Sequence, residues 1–161
     1  MNTVQIIAFT HRQFNFDEIG LFHLDDKQRI DILTNLKKNL DIDELMYLST
    51  CNRVEFIVSH EKKITNTFVE KLIKQLLADQ LPVNLKDIVH RAEIINSKAA
   101  VQHIFSVASS IDSLVVGERE IITQVRKAFE ECKENNLCGD VIRVLVQSTI
   151  STAKKVKKLF F

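Results

Sequence analysis

The segment Ser49-Thr50-Cys51-Asn52-Arg53-Val54-Glu55 sets one thiol among hydroxyls, an amide and a guanidinium, between the apolar runs Leu45-Met46-Tyr47-Leu48 and Phe56-Ile57-Val58. The thiolate is the nucleophilic form of cysteine, and a neighbouring cation favours it. Arg53 stands two residues along the chain to play that part. A plainer alternative exists, because free cysteine is among the most buried residue types and usually just packs. Four polar neighbours within two residues make a poor core, however, so Cys51 is read as a candidate nucleophile. Arg53 has a second possible use, since its planar fork recognises carboxylates better than lysine does.

His103 lies between Val101 and Phe105 in an apolar helical pattern, which suits either a satisfied core group or a base acting with the distant Cys51. The stretch from Ser109 to Gln124 alternates hydroxyls and acids around Gly117. Local rules make it a loop leading into a helix whose positive end favours Glu118 and Glu120, and the same side chains suit recognition of a small zwitterion. Lys154, Lys155, Lys157 and Lys158 form either a solvated face or a phosphate-contacting one. Cys132 falls on an apolar stripe and is expected in the core, whereas Cys138 sits beside Gly139, read as a helix stop.

Composition narrows the classes. With 161 residues, 45% of them hydrophobic, the chain can bury a core, and a formal charge of +1 gives no global basicity, so any RNA contact must come from local patches. Three cysteines without CxxC spacing argue against a disulfide framework and against a metal site. Only Gly20, Gly117 and Gly139 are glycines, so no phosphate-cradling loop can be written into the sequence, and no cofactor-binding residue is expected in this chain. Neither a signal peptide nor a run of ~20 apolar residues occurs, and the expectation is a cytoplasmic protein without a membrane partner.

These residues need a scaffold. Val4 to Phe9 reads as a strand, and a helix follows from Asp25 on the stripe Ile30, Leu33, Leu36, Leu40. Leu45–Leu48 and Val54–Ser59 read as an antiparallel pair whose short connection carries Cys51, with Asn52 able to take a left-handed turn conformation. Val69 to Leu77 is an amphipathic helix broken near Pro82, and Ile88–Ile94 is expected to be the last strand. From Ser97 the pattern is helical, capped by Asn96 or Ser97, with further helices after Gly117 and Gly139. The order strand, helix, strand, strand, helix, strand predicts an α+β, ferredoxin-like split βαβ antiparallel sheet packed with helices and followed by C-terminal helices. The last helix has no stop signal before Leu159-Phe160-Phe161 and reads as cut mid-course, the chain being a piece of a longer protein.

Ser49-Thr50-Cys51-Asn52-Arg53-Val54-Glu55 resembles the Ser-Thr-Cys-Asn-Arg-x-Glu signature of glutamyl-tRNA reductases. His103-Ile104-Phe105-Ser106-Val107-Ala108 is similar to their His-Leu-Phe-x-Val-Ala segment, and Asp112-Ser113-Leu114-Val115-Val116-Gly117-Glu118, with Ile121 and Gln124-Val125-Arg126, resembles a third. Ala153-Lys154-Lys155-Val156 resembles the start of a long connecting helix.

The resemblance implies a catalytic core over 1–112, its helical part over 113–138 and the start of a spinal helix over 139–161. NADPH-binding and dimerisation domains of the family would lie outside this chain, and with them the cofactor NADPH and the homodimer contact. It implies that Cys51 attacks the ester of glutamyl-tRNA, that His103 assists, and that hydride from NADPH turns the thioester into glutamate-1-semialdehyde for tetrapyrrole synthesis. Thr50, Asn52, Arg53, Ser113, Glu118 and Gln124 match substrate-binding positions, Arg53 toward the substrate's side-chain carboxylate. Arg119 and Glu120 replace the family's Pro-Gln within that substrate-binding set, and Ser110 replaces a glycine. Two rival readings are a glutamyl-tRNA recognition module without chemistry and a cysteine hydrolase of another acyl substrate.

Overall fold

The computed structural model describes residues 3–109 and 120–160. Its elements are β1 (Thr3–Thr10), α1 (Phe16–Gly20), α2 (Arg29–Asn39), β2 (Glu44–Thr50), β3 (Arg53–His60), α3 (Asn66–Leu77), α4 (Leu85–Arg91), β4 (Glu93–Asn96), α5 (Ser97–Ala108), α6 (Glu120–Glu134) and α7 (Asp140–Phe160). The four strands lie in the order β2-β3-β1-β4, each antiparallel to its neighbours, which is the split βαβ arrangement expected of a ferredoxin-like α+β fold.

Strand alternation sorts the side chains into two compartments. The pairs Phe9↔Val54, Ile7↔Phe56, Tyr47↔Phe56 and Ser49↔Val54 put one set on the first face. There Phe9 stacks on Phe22 with ring centroids 4.0 Å apart, and Tyr47 meets Phe56 at 5.3 Å. The pairs Ala8↔Glu55, Leu48↔Glu55, Thr50↔Arg53 and Glu44↔Ser59 define the second face, against which α5 and α7 pack. With helices on both sides, every residue of β3 is buried, polar ones included.

Three expectations are corrected. Ile88–Ile94 is not one strand: residues through Arg91 are helical, and only Glu93–Asn96 pair with β1. Leu85, Ile88, Val89 and Ala92 form an i, i+3, i+4, i+7 stripe, reinforced by the Arg91–Asp87 ion pair at 2.8 Å one turn apart. Gly139 does not stop a helix but precedes the first residue of α7; the stop is Asn136, at φ 59, where Leu137 N–H donates back to the Cys132 carbonyl at 2.8 Å. Asn52 keeps a negative φ, because the described non-glycine residues with positive φ are Asp41, Ser97 and Asn136.

The second-face acid Glu44, 9% exposed, anchors the chain at Gly139. Its carboxylate accepts from the N–H groups of Gly139 (2.6 Å), Val141 (3.2 Å) and Ile142 (3.0 Å), satisfying orphan donors of α7's first turn. The sheet therefore grips α7 by its N-terminus. α6 and its exit lie along the outer edge of β2, where Leu45 N–H donates to the Leu137 carbonyl at 2.8 Å. That covers an edge otherwise open to pairing with another chain.

Candidate active site

The β2–β3 connection is only two residues long, and Cys51 and Asn52 occupy it, with Thr50↔Arg53 as the closing pair. Two bonds hold it: Asn52 N–H donates to Thr50 Oγ1 at 3.2 Å, and His11 N–H donates to the Asn52 carbonyl at 3.1 Å. Thr50 thus shapes the turn and β1 braces it. Cys51 is exposed at the tip, whereas Cys132 is 2% exposed, with burial pushing its thiol up to about 12. Burial, with the Glu44 carboxylate adding to it, raises the Cys138 thiol too. Of the three thiols Cys51 is the exposed one, Cys138 is half-buried and Cys132 is buried.

Beneath the tip, Arg53 and Glu55 point to the second face and are 2% and 0% exposed. Arg53 Nη1 lies 3.3 Å from Glu55 Oε2, and the other carboxylate oxygen forms a short hydrogen bond with Nε2 of His103 on α5. A fully buried carboxylate must be paired, and here it is paired twice. Glu55 fixes the His103 ring much as a carboxylate orients a metal-bound or catalytic imidazole: in the neutral ring, an Nε2–H given to Glu55 leaves Nδ1 as the accepting nitrogen. Among the described residues, Cys51 and His103 share no hydrogen bond; Arg53 and Glu55 form the link that runs from the turn to the imidazole.

The expected site residues are thus distributed as follows. Cys51, Thr50, Asn52 and Arg53 share the turn, and His103 joins them through Glu55. Gln124, half-buried on α6, faces a cleft beside Ser49. Glu120 opens α6, and Ser113, Glu118 and Arg119 lie outside the described residues. Sequence reasoning assigned no role to Glu55, although an acid two positions from Arg53 in an apolar strand shares its face by simple alternation. It also gave none to His23, whose Nδ1 is 2.7 Å from Ser49 Oγ. Among the described residues no three His, Cys, Asp or Glu side chains cluster to hold a metal ion, and no helix is long and apolar enough to cross a membrane.

Comparison with known proteins matches this arrangement to one family. The family model described as glutamyl-tRNAGlu reductase, N-terminal domain, matches residues 7–159. The glutamyl-tRNA reductase of a Nitratiruptor species is 34% identical over 155 residues, covering 94% of this chain and 35% of that protein. That of Campylobacter concisus is 35% identical over 156 residues, with coverage of 94% and 35%. The solved structure of glutamyl-tRNA reductase from Methanopyrus kandleri superposes with a TM-score of 0.75 at 22% identity, over 98% of this chain and 35% of that one, a likeness of fold. The chain spans about a third of the length of these relatives. On the family match and the curated relatives together, it belongs to the glutamyl-tRNA reductase family, as the N-terminal domain.

Proposed function

We propose that this chain carries the thioester-forming half of glutamyl-tRNA reduction, the first step of tetrapyrrole (porphyrin) biosynthesis in the cytoplasm. The observation that carries the reading is the exposed thiol of Cys51 on a braced two-residue turn, directly above the buried Arg53–Glu55–His103 chain. The Cys51 thiolate adds to the carbonyl of the glutamyl ester, the C–S bond forms, the C–O bond breaks, and the terminal ribose oxygen of the tRNA leaves as a hydroxyl after taking a proton. Arg53 orients the glutamyl side-chain carboxylate, a task for which a guanidinium has donors on several nitrogens. His103, held by Glu55, handles the proton, and Thr50 and Asn52 keep the turn in shape.

The subsequent reduction, for which NADPH supplies hydride, needs a dinucleotide-binding cradle, and the sequence has no glycine-rich run from which to build one. That step and homodimer formation are assigned to other parts of a longer protein, to which α7 would lead. Mass spectrometry of the protein mixed with glutamyl-tRNA tests the proposal. A glutamyl adduct on Cys51, absent from Cys51→Ala, is expected; no adduct, or equal labelling of the variant, refutes it.

A further inference from the structure

At the end of the sheet remote from Cys51, a cleft of about 370 Å³ opens between the α2–β2 connection, the His60 end of β3 and the first turns of α3. His60 lies seven residues along β3 from Arg53, about 23 Å at the rise of an extended strand. We propose that this cleft binds the phosphate group of a small molecule, held by Lys62, Lys63, Lys71, His60 and the first turn of α3. The site does not depend on the chemistry of Cys51.

A buried imidazole points to a ligand. His60 is 8% exposed and lines the cleft, its ring 5.4 Å from that of Phe68, and its Nδ1 is buried with no hydrogen-bond partner. A sealed polar nitrogen costs stability until a partner reaches it. An apolar ring would fill this place without that cost, so the nitrogen calls for a group that enters the cleft and bonds to it. A half-turn about χ2 keeps the outline of the imidazole and exchanges its buried and cleft-facing edges, which lets the ring meet an entering oxygen.

The other groups converge on one negative charge. Gln5, 1% exposed, donates from Nε2 to the Lys62 carbonyl at 2.9 Å and accepts from Ile64 N–H at 2.8 Å, which fixes the segment carrying Lys62 and Lys63. Thr67 and Lys71 stand one turn apart on α3 and share a face. Thr65 caps that helix, its Oγ1 accepting from Phe68 N–H at 3.3 Å and its carbonyl from Val69 N–H at 3.1 Å. The leading N–H groups of Asn66 and Thr67 keep no partner among the described residues, and no acid sits in the first turn to meet the positive helix end. Lys62, Lys63 and Lys71 make no ion pair among the described residues. The carboxylate of the lining is Asp41, and three ammonium groups outweigh it. A single phosphate fits this convergence better than an RNA strand does. Glu61 and Glu70 adjoin Lys62 and Lys71 in the chain, which breaks any stripe of cations along which successive phosphates could lie.

Inorganic phosphate titrated into the protein at constant ionic strength, with chloride as the reference anion, tests the site. Saturable shifts of the Asn66 and Thr67 amide resonances and of the His60 ring are expected; shifts that do not saturate, or that are confined elsewhere, overturn the proposal. Lys71→Ala should raise the Kd about tenfold, the size of one charge-assisted hydrogen bond, and Lys86→Ala, at an exposed lysine on α4, should leave it unchanged. Equal losses in the two variants would show a general charge effect and refute the site. His60→Phe fills the place of the imidazole without its nitrogens. It should melt no lower than the parent in phosphate-free buffer and lose the rise in Tm that phosphate gives the parent; a retained rise overturns the part assigned to His60. If that variant does not fold, Lys71→Ala and the amide shifts decide the question. Uncharged transfer RNA added as competitor separates two sources of phosphate. An unmoved phosphate titration supports a small-molecule site, and displacement of phosphate from Asn66 and Thr67 overturns it in favour of an RNA backbone contact.

Discussion

Glu55 offers the most direct test of how the site is held. Replacing it with alanine leaves the Arg53 guanidinium, 2% exposed, without the carboxylate 3.3 Å away, and deprives His103 Nε2 of its acceptor. Removing one partner of a buried pair costs about 3–5 kcal/mol, because the remaining charge stays desolvated. Glu55→Gln is the sharper probe. The amide fills the same volume, yet it has one acceptor oxygen where two donors, Arg53 Nη1 and His103 Nε2–H, need one each, and its NH₂ faces the other donor. A loss of about 1–3 kcal/mol follows from leaving one buried donor unsatisfied. Urea unfolding followed by circular dichroism measures the stability change in both variants. Single-turnover acylation of Cys51 by glutamyl-tRNA measures the chemical one, and a mis-set imidazole should slow it about 10²–10³-fold in Glu55→Gln. His103→Gln, made separately, should be nearly as slow, and the double variant little slower than either, since the two act as one unit. Wild-type acylation by a folded Glu55→Gln protein, or fully additive effects in the double variant, would refute the idea that Glu55 works through His103.

Other consequences are as open to measurement. Glu44→Ala removes the acceptor of three N–H groups at the start of α7 and should cost about 1–2 kcal/mol, with faster hydrogen exchange at Val141 and Ile142; unchanged exchange there would contradict the cap. Iodoacetamide at pH 8 should label Cys51 in the native protein and Cys132 only after unfolding, because burial holds the latter's thiol at about 12. Glu18, hydrogen-bonded by Arg91 and by Asn15 N–H, is held at about 2 against an ordinary 4.5. Its contribution to stability is therefore complete above pH 4.5 and lost as pH falls toward 2. The acid limb of the stability profile should flatten over that window in Glu18→Gln, and an unaltered limb would remove Glu18 as its source.

The parts of this structure legible in the sequence are those set by near neighbours. Val4–Phe9, Leu45–Leu48 and Val54–Ser59 announce themselves through β-branched and aromatic side chains in short runs, and the polar interruption between the last two marks the turn that carries Cys51. Ile88-Val89 misled because two adjacent β-branched residues suit a strand locally, while the helical stripe that prevails needs Leu85 and Ala92 to be counted with them. What no local pattern could supply are the long-range partners of the acids. Glu55 meets His103 48 residues away, Glu44 meets Gly139 95 residues away, and Arg29 meets Glu131 across 102 residues. Those distances close only once the sheet order exists. The charged letters were visible; their pairing was a property of the topology.

The β2–β3 hairpin has a consequence beyond displaying a thiol. Glu44 and Thr50 bracket one strand, and both point to the second face. Cys51 follows at one end of that strand, and the anchor of α7 sits at the other. A slip of one residue in the pairing would swing every side chain of β2 to the opposite face. It would unseat the turn that carries Cys51 and release the helix in the same event. The strand therefore acts as a ruler with a fixed mark at each end, so the start of α7 is registered to the Cys51 sulfur by the alignment of two strands alone.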